Sequence, residues 1–326
     1  MAEKTYAIAI RDLIAEEMRR DPKVFIMGED IAEQGGIFGC TRGLLDEFGE
    51  ERVRNTPISE NTFVGAGAGA ASVGMRPVVE LMYMDFIYLS MDQILNQAAK
   101  MRYMFGGKVK VPLVVRGQQG IGRGNAGQHS QAVESMLMNI PGIKVVCPST
   151  PSDAAGLLRT AIRDDNPVVF IEHKALYATK GEVPDDPEFM IPFGKCNIVR
   201  EGSDVTIVGN LLYLGKALEA AEKLEAEGIS AEVIDPRTLV PLDTDTIVES
   251  VKKTGRLVIV HEAHRTMGYS AEIAAAVTEK AFKYLDTPPI RIGSKMCTLP
   301  FNLGLENAVV PQVEDIVEAA KQALYR

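Results

Sequence analysis

Short apolar runs alternate with amphipathic stretches from Thr5 to His173, which restricts the chain to folds in which strands and helices take turns. Tyr6, Ile10, Leu13, Ile14 and Met18 recur at helical spacing, and Asp21-Pro22 breaks that helix before the apolar run Val24 to Met27. Further strand candidates cover 52–58, 77–82, 111–116, 144–147 and 167–172. Before the candidate at 111–116, Ser90 and Gln93 match a capping box, followed by Ile94, Leu95, Ala98 and Met101 on one helix face and a Gly106-Gly107 stop. The pattern predicts an α/β class fold with a doubly wound, mainly parallel sheet.

The rhythm then breaks. Gly181, Pro184, Asp185, Asp186, Pro187, Pro192 and Gly194 have the composition of a connector. A second, smaller α/β unit follows, with strand candidates at 205–209, 231–234, 256–260 and 289–292. The expected organisation is a first domain over 1–180, a linker over 181–203 and a second domain over 204–326, in line with about 100–200 residues per domain.

Composition narrows the function. The net charge of -9 opposes a general affinity for nucleic acid or for an anionic membrane surface. Cys40, Cys147, Cys196 and Cys297 form no CxxC pair and read as reduced core residues of a cytosolic protein. The opening stretch acquires acidic residues early and carries neither a long apolar signal core nor an Arg/Ser-rich segment. No apolar run approaches a membrane span. The expectation is a soluble, cytoplasmic protein.

Within the first domain, TPISENTFVGAGAGAA sets one carboxylate, Glu60, in front of a helix made mostly of Gly and Ala. Gly65, Gly67 and Gly69 allow close approach at roughly 1 kcal/mol each in helix propensity. That cost suggests either an interface or tight packing on the chain's own sheet. Glu60 follows the candidate strand 52–58, Phe86 follows 77–82, and His129 lies in the Gly-rich loop after 111–116. An acid, an aromatic face and a base can therefore converge where open α/β sheets bind ligands. Taken singly, they are a helix-start carboxylate, a core aromatic and a hydrogen-bonded loop histidine.

Several blocks in order then resemble one family: MGED at 27–30, TPISE at 56–60, DQILNQAAK at 92–100, QHSQ at 128–131, PGIKVVCPS at 141–149 and AIRDDNPVVF at 161–170. The sequence resembles the beta subunits of thiamine-diphosphate-dependent 2-oxoacid and acetoin dehydrogenases, which share the pyrimidine-binding and C-terminal domains of transketolase. The resemblance implies that Glu60 hydrogen-bonds the cofactor's aminopyrimidine ring and favours the imino tautomer that deprotonates the thiazolium carbon. It implies that Phe86 packs on the aminopyrimidine and that His129 stands near the thiazolium and the entrance used by a lipoyl arm. His173, His261 and His264 match no catalytic position. It further implies a potassium site made by the carbonyls of Leu113, Ala161, Ile162 and Asp164 with the Asn166 side chain, although DDNP alone reads as a helix terminator.

The family's GDG motif for diphosphate and magnesium is missing from this chain. The resemblance therefore implies half a site, completed by an alpha subunit in a heterotetramer of two alpha and two beta chains, with a lipoyl acyltransferase as the next partner. The blocks QILNQAAK-x-RYMFGGK and EHK-x-LY are similar to the acetoin branch, while pyruvate-type members share most other motifs. Two rivals remain at this point. Gly65-x-Gly67-x-x-Ala70 fits a dinucleotide fingerprint of a Rossmann-type NAD-dependent oxidoreductase, with Glu80 as the ribose acid, but no uninterrupted apolar strand precedes it. A noncatalytic scaffold subunit is the other.

Overall fold

The computed structural model describes residues 1–325. These divide into two compact units, the first made of Met1–Gln119 and Asn139–Phe193, the second of Gly120–Met138 with the chain from Gly194 onward.

The first unit's strands are β1 (Ala2–Thr5), β2 (Val24–Gly28), β3 (Val53–Asn55), β4 (Arg76–Leu81), β5 (Val114–Gln119), β6 (Lys144–Val146), β7 (Val168–His173) and β8 (Lys180–Val183). Six of them run parallel in the order β6-β7-β5-β4-β2-β3. Both faces of such a sheet are covered, so β2, β5 and β7 are buried at every position. The chain leaves β2 toward β3 but leaves β4 toward β5, so the winding direction reverses between β2 and β4. A crevice opens at the carboxyl ends of strands at such a point.

Local differences from the sequence expectations have physical causes. Strand β3 stops at Asn55 rather than 58, because Pro57 cannot donate to the ladder; Thr56 N–H makes the last bond, 2.9 Å to the Gly28 carbonyl. Strand β5 begins at Val114, beyond Pro112, and runs on through the polar but buried Gln118 and Gln119, which pair with Glu172 and His173. The capping box at Ser90 and Gln93 is not made. The chain is already helical there, passing from 3-10 turns (Met84–Ser90) through a π-helical stretch (Gln93–Ala98) to an α-helix (Ala99–Met104), and the Ser90 hydroxyl donates to the Ile87 carbonyl at 3.1 Å. Gly106 and Gly107 do end it, at φ of +62° and +80°.

The expected connector holds structure at both ends. Strand β8 pairs antiparallel with β1, and Asn197–Arg200, here β9, joins the second sheet. The second unit also contains β10 (Val205–Gly209), β11 (Ala231–Asp235), β12 (Thr238–Val240), β13 (Leu257–His264) and β14 (Ile290–Ser294). Its main sheet runs β14-β13-β10-β11-β9, parallel except for β9. Helices Leu212–Ala226 and Val313–Ala323 pack on it through Leu214, Ala217, Ile316 and Ala320, closing a core with Val205, Ile207, Val258 and Val260.

One polar cluster is buried in the first unit. Arg116 on β5 makes a bidentate pair with Glu172 on β7, at 2.6 Å for both bonds, and also donates to Glu80 on β4. Tyr177 adds its hydroxyl to Glu172 at 2.7 Å. One cation thus serves two carboxylates and ties three neighbouring strands near their carboxyl ends.

Candidate functional site

The crevice between β2 and β4 is where sequence and topology agree on a site. Strand β2 ends at Gly28, where an added Cβ would stand 2.6 Å from the Glu80 carbonyl oxygen, so the strands close tightly just before Glu29. Glu29 is buried, and its Oε1 has no hydrogen-bond partner. Burial, with Glu60 and then Asp30 nearby, pushes its carboxyl from the ordinary 4.5 up to about 7.

Glu60 opens helix Glu60–Ser72 and is 5% exposed. In that first turn Thr62 and Phe63 N–H both donate to the Ser59 carbonyl, at 2.9 and 3.1 Å. Two of the three helix glycines explain how the helix is seated. A Cβ on Gly67 would meet Val79 of β4 at 2.7 Å, and one on Gly65 would meet Gln93 at 3.0 Å, whereas Gly69 faces open space. Close packing on the chain's own sheet therefore accounts for Gly67. The same helix also packs against the turns of Met84–Ser90, which carry Phe86. The Phe86 ring is partly exposed and sits edge-on to Tyr83, with centroids 6.1 Å apart.

The first unit thus gathers Glu29, Glu60 and Phe86, while His129 belongs to the second. His129 lies in the loop that leaves β5, its N–H 3.3 Å from the carbonyl of Ala126, a residue at φ +61°. The other histidines hold structure together. Ala175 N–H donates to His173 Nδ1 at 3.1 Å, and His264 Nδ1 lies 2.8 Å from the Lys295 carbonyl. His261 Nε2 and the Ser270 hydroxyl are 2.7 Å apart and buried, and burial pushes this imidazole down to about 4.

Each oxygen in the implied potassium set already accepts a hydrogen bond. Leu113 takes Val168 N–H at 2.8 Å and Ala161 takes Asp164 N–H at 3.3 Å. Arg76 Nη1 reaches the Ile162 and Asp164 carbonyls at 2.9 and 3.0 Å, and Arg102 Nη1 reaches Asn166 Oδ1 at 2.6 Å. A carbonyl oxygen has two lone pairs, so each of the four backbone carbonyls keeps a further acceptor position, while Arg76 brings a positive charge to two of them. Asn166 is the member that must share its oxygen with Arg102. Among the described residues no group of three or more His, Cys, Asp or Glu side chains is arranged to hold a metal.

An aminopyrimidine fits the first unit's crevice. It brings N–H donors and a flat ring to a place with an orphaned carboxylate oxygen, a second carboxylate and an aromatic face. A dinucleotide does not fit. Gly65 and Gly67 lie inside a helix rather than at the turn that precedes one, so their amides are spent on helix bonds, and Glu80 is engaged by Arg116. Glu29 is the residue that sequence reasoning passed over. It stands in the quoted MGED block directly after an apolar strand, and that position is the signal that could have found it.

Comparisons with known proteins bear on the fold and the family. The transketolase pyrimidine-binding domain matches residues 2–180 and the transketolase C-terminal domain matches residues 194–316. The pyruvate dehydrogenase E1 component subunit beta of Rhizobium meliloti is 47% identical over 326 residues, which are 100% of this chain and 71% of that protein. The acetoin:2,6-dichlorophenolindophenol oxidoreductase subunit beta of Cupriavidus necator is also 47% identical, covering 99% of this chain and 98% of its own length. Among solved structures, a split-gene transketolase described as an inactive beta4 tetramer superposes with a TM-score of 0.78 over 98% of both chains, at 24% identity. With two transketolase-type domains in this order and nearly half its residues shared with these enzymes, the chain belongs to the family of dehydrogenase E1 component beta subunits.

Proposed function

We propose that this chain is the beta half of a thiamine-diphosphate-dependent dehydrogenase component that decarboxylates a pyruvate-like 2-oxoacid or cleaves acetoin and passes the acyl group to a lipoyl acyltransferase. The observation that carries the reading is the pair Glu29 and Glu60 in the switch-point crevice, one carboxyl held near neutrality and one oxygen without a partner. Thiamine diphosphate supplies a thiazolium carbon that adds to carbonyl substrates once deprotonated. Glu60 would hydrogen-bond the aminopyrimidine ring, and Phe86 would offer its face to that ring. His129 would deliver a proton during transfer to the lipoyl group. The chain is soluble and cytoplasmic in this reading; no helix among the described residues is long and apolar enough to cross a membrane.

Magnesium and the diphosphate fall to an alpha subunit, in a heterotetramer of two alpha and two beta chains, because no GDG motif occurs in this sequence. Calorimetry with thiamine diphosphate and magnesium is expected to give weak or undetectable binding to the chain alone and clear binding after an alpha chain is added. Tight binding by the chain alone would remove the half-site reading. Assays of the reconstituted enzyme with acetoin, pyruvate and branched-chain 2-oxoacids then decide the substrate. For potassium, the thermal midpoint is expected to be higher in KCl than in NaCl, and Asn166→Ala to remove the difference. Equal midpoints for the unmodified protein would exclude the ion.

A further inference from the structure

The loop bearing His129 is held at both ends by the second unit. At its neck, Gly120 N–H donates to the Gln131 carbonyl at 3.2 Å. The next two amides each point at a buried carboxylate: Ile121 N–H reaches Glu262 Oε1 at 2.8 Å, and Gly122 N–H reaches Glu306 Oε2 at 3.1 Å. Farther along, a Cβ on Gly124 would stand 2.6 Å from the Phe301 carbonyl oxygen, and one on Gly127 2.5 Å from Thr298 Cγ2. The loop therefore lies flush against 298–303, and at Gly124, with φ of +62° and a backbone oxygen in the way, the contact requires glycine. At the far end, Tyr269 N–H donates to the Ser135 hydroxyl at 3.0 Å.

Glu306 is the unusual member. It is fully buried, yet its Oε1 has no partner, so one peptide N–H is the sole hydrogen bond shown for this carboxylate. Burying a carboxylate so thinly satisfied lowers stability, and an apolar residue at the same place would avoid that penalty. What the acid gives in return is direction. A carboxylate accepts from a peptide N–H more strongly than a neutral group does, and two of them on successive amides fix the course of the backbone where it leaves β5.

We infer that Glu262 and Glu306 are positioning residues for His129, acting through the Ile121 and Gly122 amides to set where the imidazole stands. This rests on the reading of His129 as the proton donor in acyl transfer. In this role the two carboxylates act on the backbone amides of Ile121 and Gly122. Misplacing a reacting group by about 1 Å can cost roughly 10²-fold in rate, so loosening this anchor is expected to appear in the step that uses His129.

The test uses the full chain assembled with its alpha partner and the variants Glu306→Ala, Glu306→Gln and Glu262→Gln. Hydrogen exchange read on a peptide covering 120–125 is expected to speed up by roughly 10–100-fold in Glu306→Ala, the loss of one charged hydrogen bond, and less in the Gln variants, which keep an acceptor. Transfer to a free lipoyl domain is expected to fall by more than reduction of an artificial electron acceptor, with the thermal midpoint of the Gln variants close to that of the parent. Unchanged exchange would overturn the anchor itself. Faster exchange with equal losses in the two assays, or with none, would leave a purely structural role and overturn the inference. His129→Ala separates the two levels: if it shows no lipoyl-selective loss, the His129 reading fails, whatever the exchange data say of the anchor.

Discussion

Carboxylates are buried in both units, but they face different things. In the first unit Glu80 and Glu172 share the guanidinium of Arg116, while Glu29 is driven toward the neutral acid by burial and by the charges of Glu60 and Asp30. In the second unit Glu262 and Glu306 each meet a peptide N–H. A fixed cation or a fixed amide turns a buried acid into a fastener. An acid left with a like charge and an unpartnered oxygen keeps a proton available for another molecule, and Glu29 at the end of β2 is such an acid.

The largest expected effect tests the second kind of acid. Glu60→Gln keeps the shape and removes the proton exchange, so deuterium exchange at the thiazolium carbon of the assembled enzyme is expected to slow by about 10²–10⁴-fold, with the assembly intact. Parent-like exchange would place Glu60 among the fasteners.

Arg116→Leu addresses the first kind. It strands Glu80 and Glu172 without a cation, and urea unfolding is expected to show a loss of about 3–5 kcal/mol. A loss below about 1 kcal/mol would mean that the two acids are neutralised some other way.

The smallest effect concerns Glu29 and has a defined sign. Its folded carboxyl titrates near 7 against an ordinary 4.5, so between those values the folded state binds more protons than the unfolded chain, and stability falls as pH rises. Glu29→Gln is expected to flatten that slope and to be more stable than the parent by about 1–3 kcal/mol at pH 8, with little difference at pH 4. Parallel stability curves for the two proteins from pH 4 to 8 would show that Glu29 is ionised like any surface acid.

Much of this was legible before any coordinates. The run 205–209 coincides with β10, because four consecutive β-branched residues in a two-sided sheet leave little room for another reading. Glu60 and Phe86 were singled out from their positions after strands, and the fold puts their helical segments in contact. Less visible were features that depend on distant partners. Ser90 carries the capping signature yet lies inside a helical run that had begun at Met84, directly after the extended Tyr83. The pairing of Arg116 with acids 36 and 56 residues away has no local signature.

Periodicity, proline placement and motif order act through neighbours a few residues apart. They determined the α/β class, most strands, the helix-start position of Glu60 and the family. Tertiary structure decided which acids share a cation, which stand beside another acid and which hold an amide, because a carboxylate's protonation and task follow from burial and from charges brought near by folding. It also decided that the His129 loop, which leaves a strand of the first unit, packs with the second, a choice made by the glycines and carboxylates that meet there and not by the order of the chain.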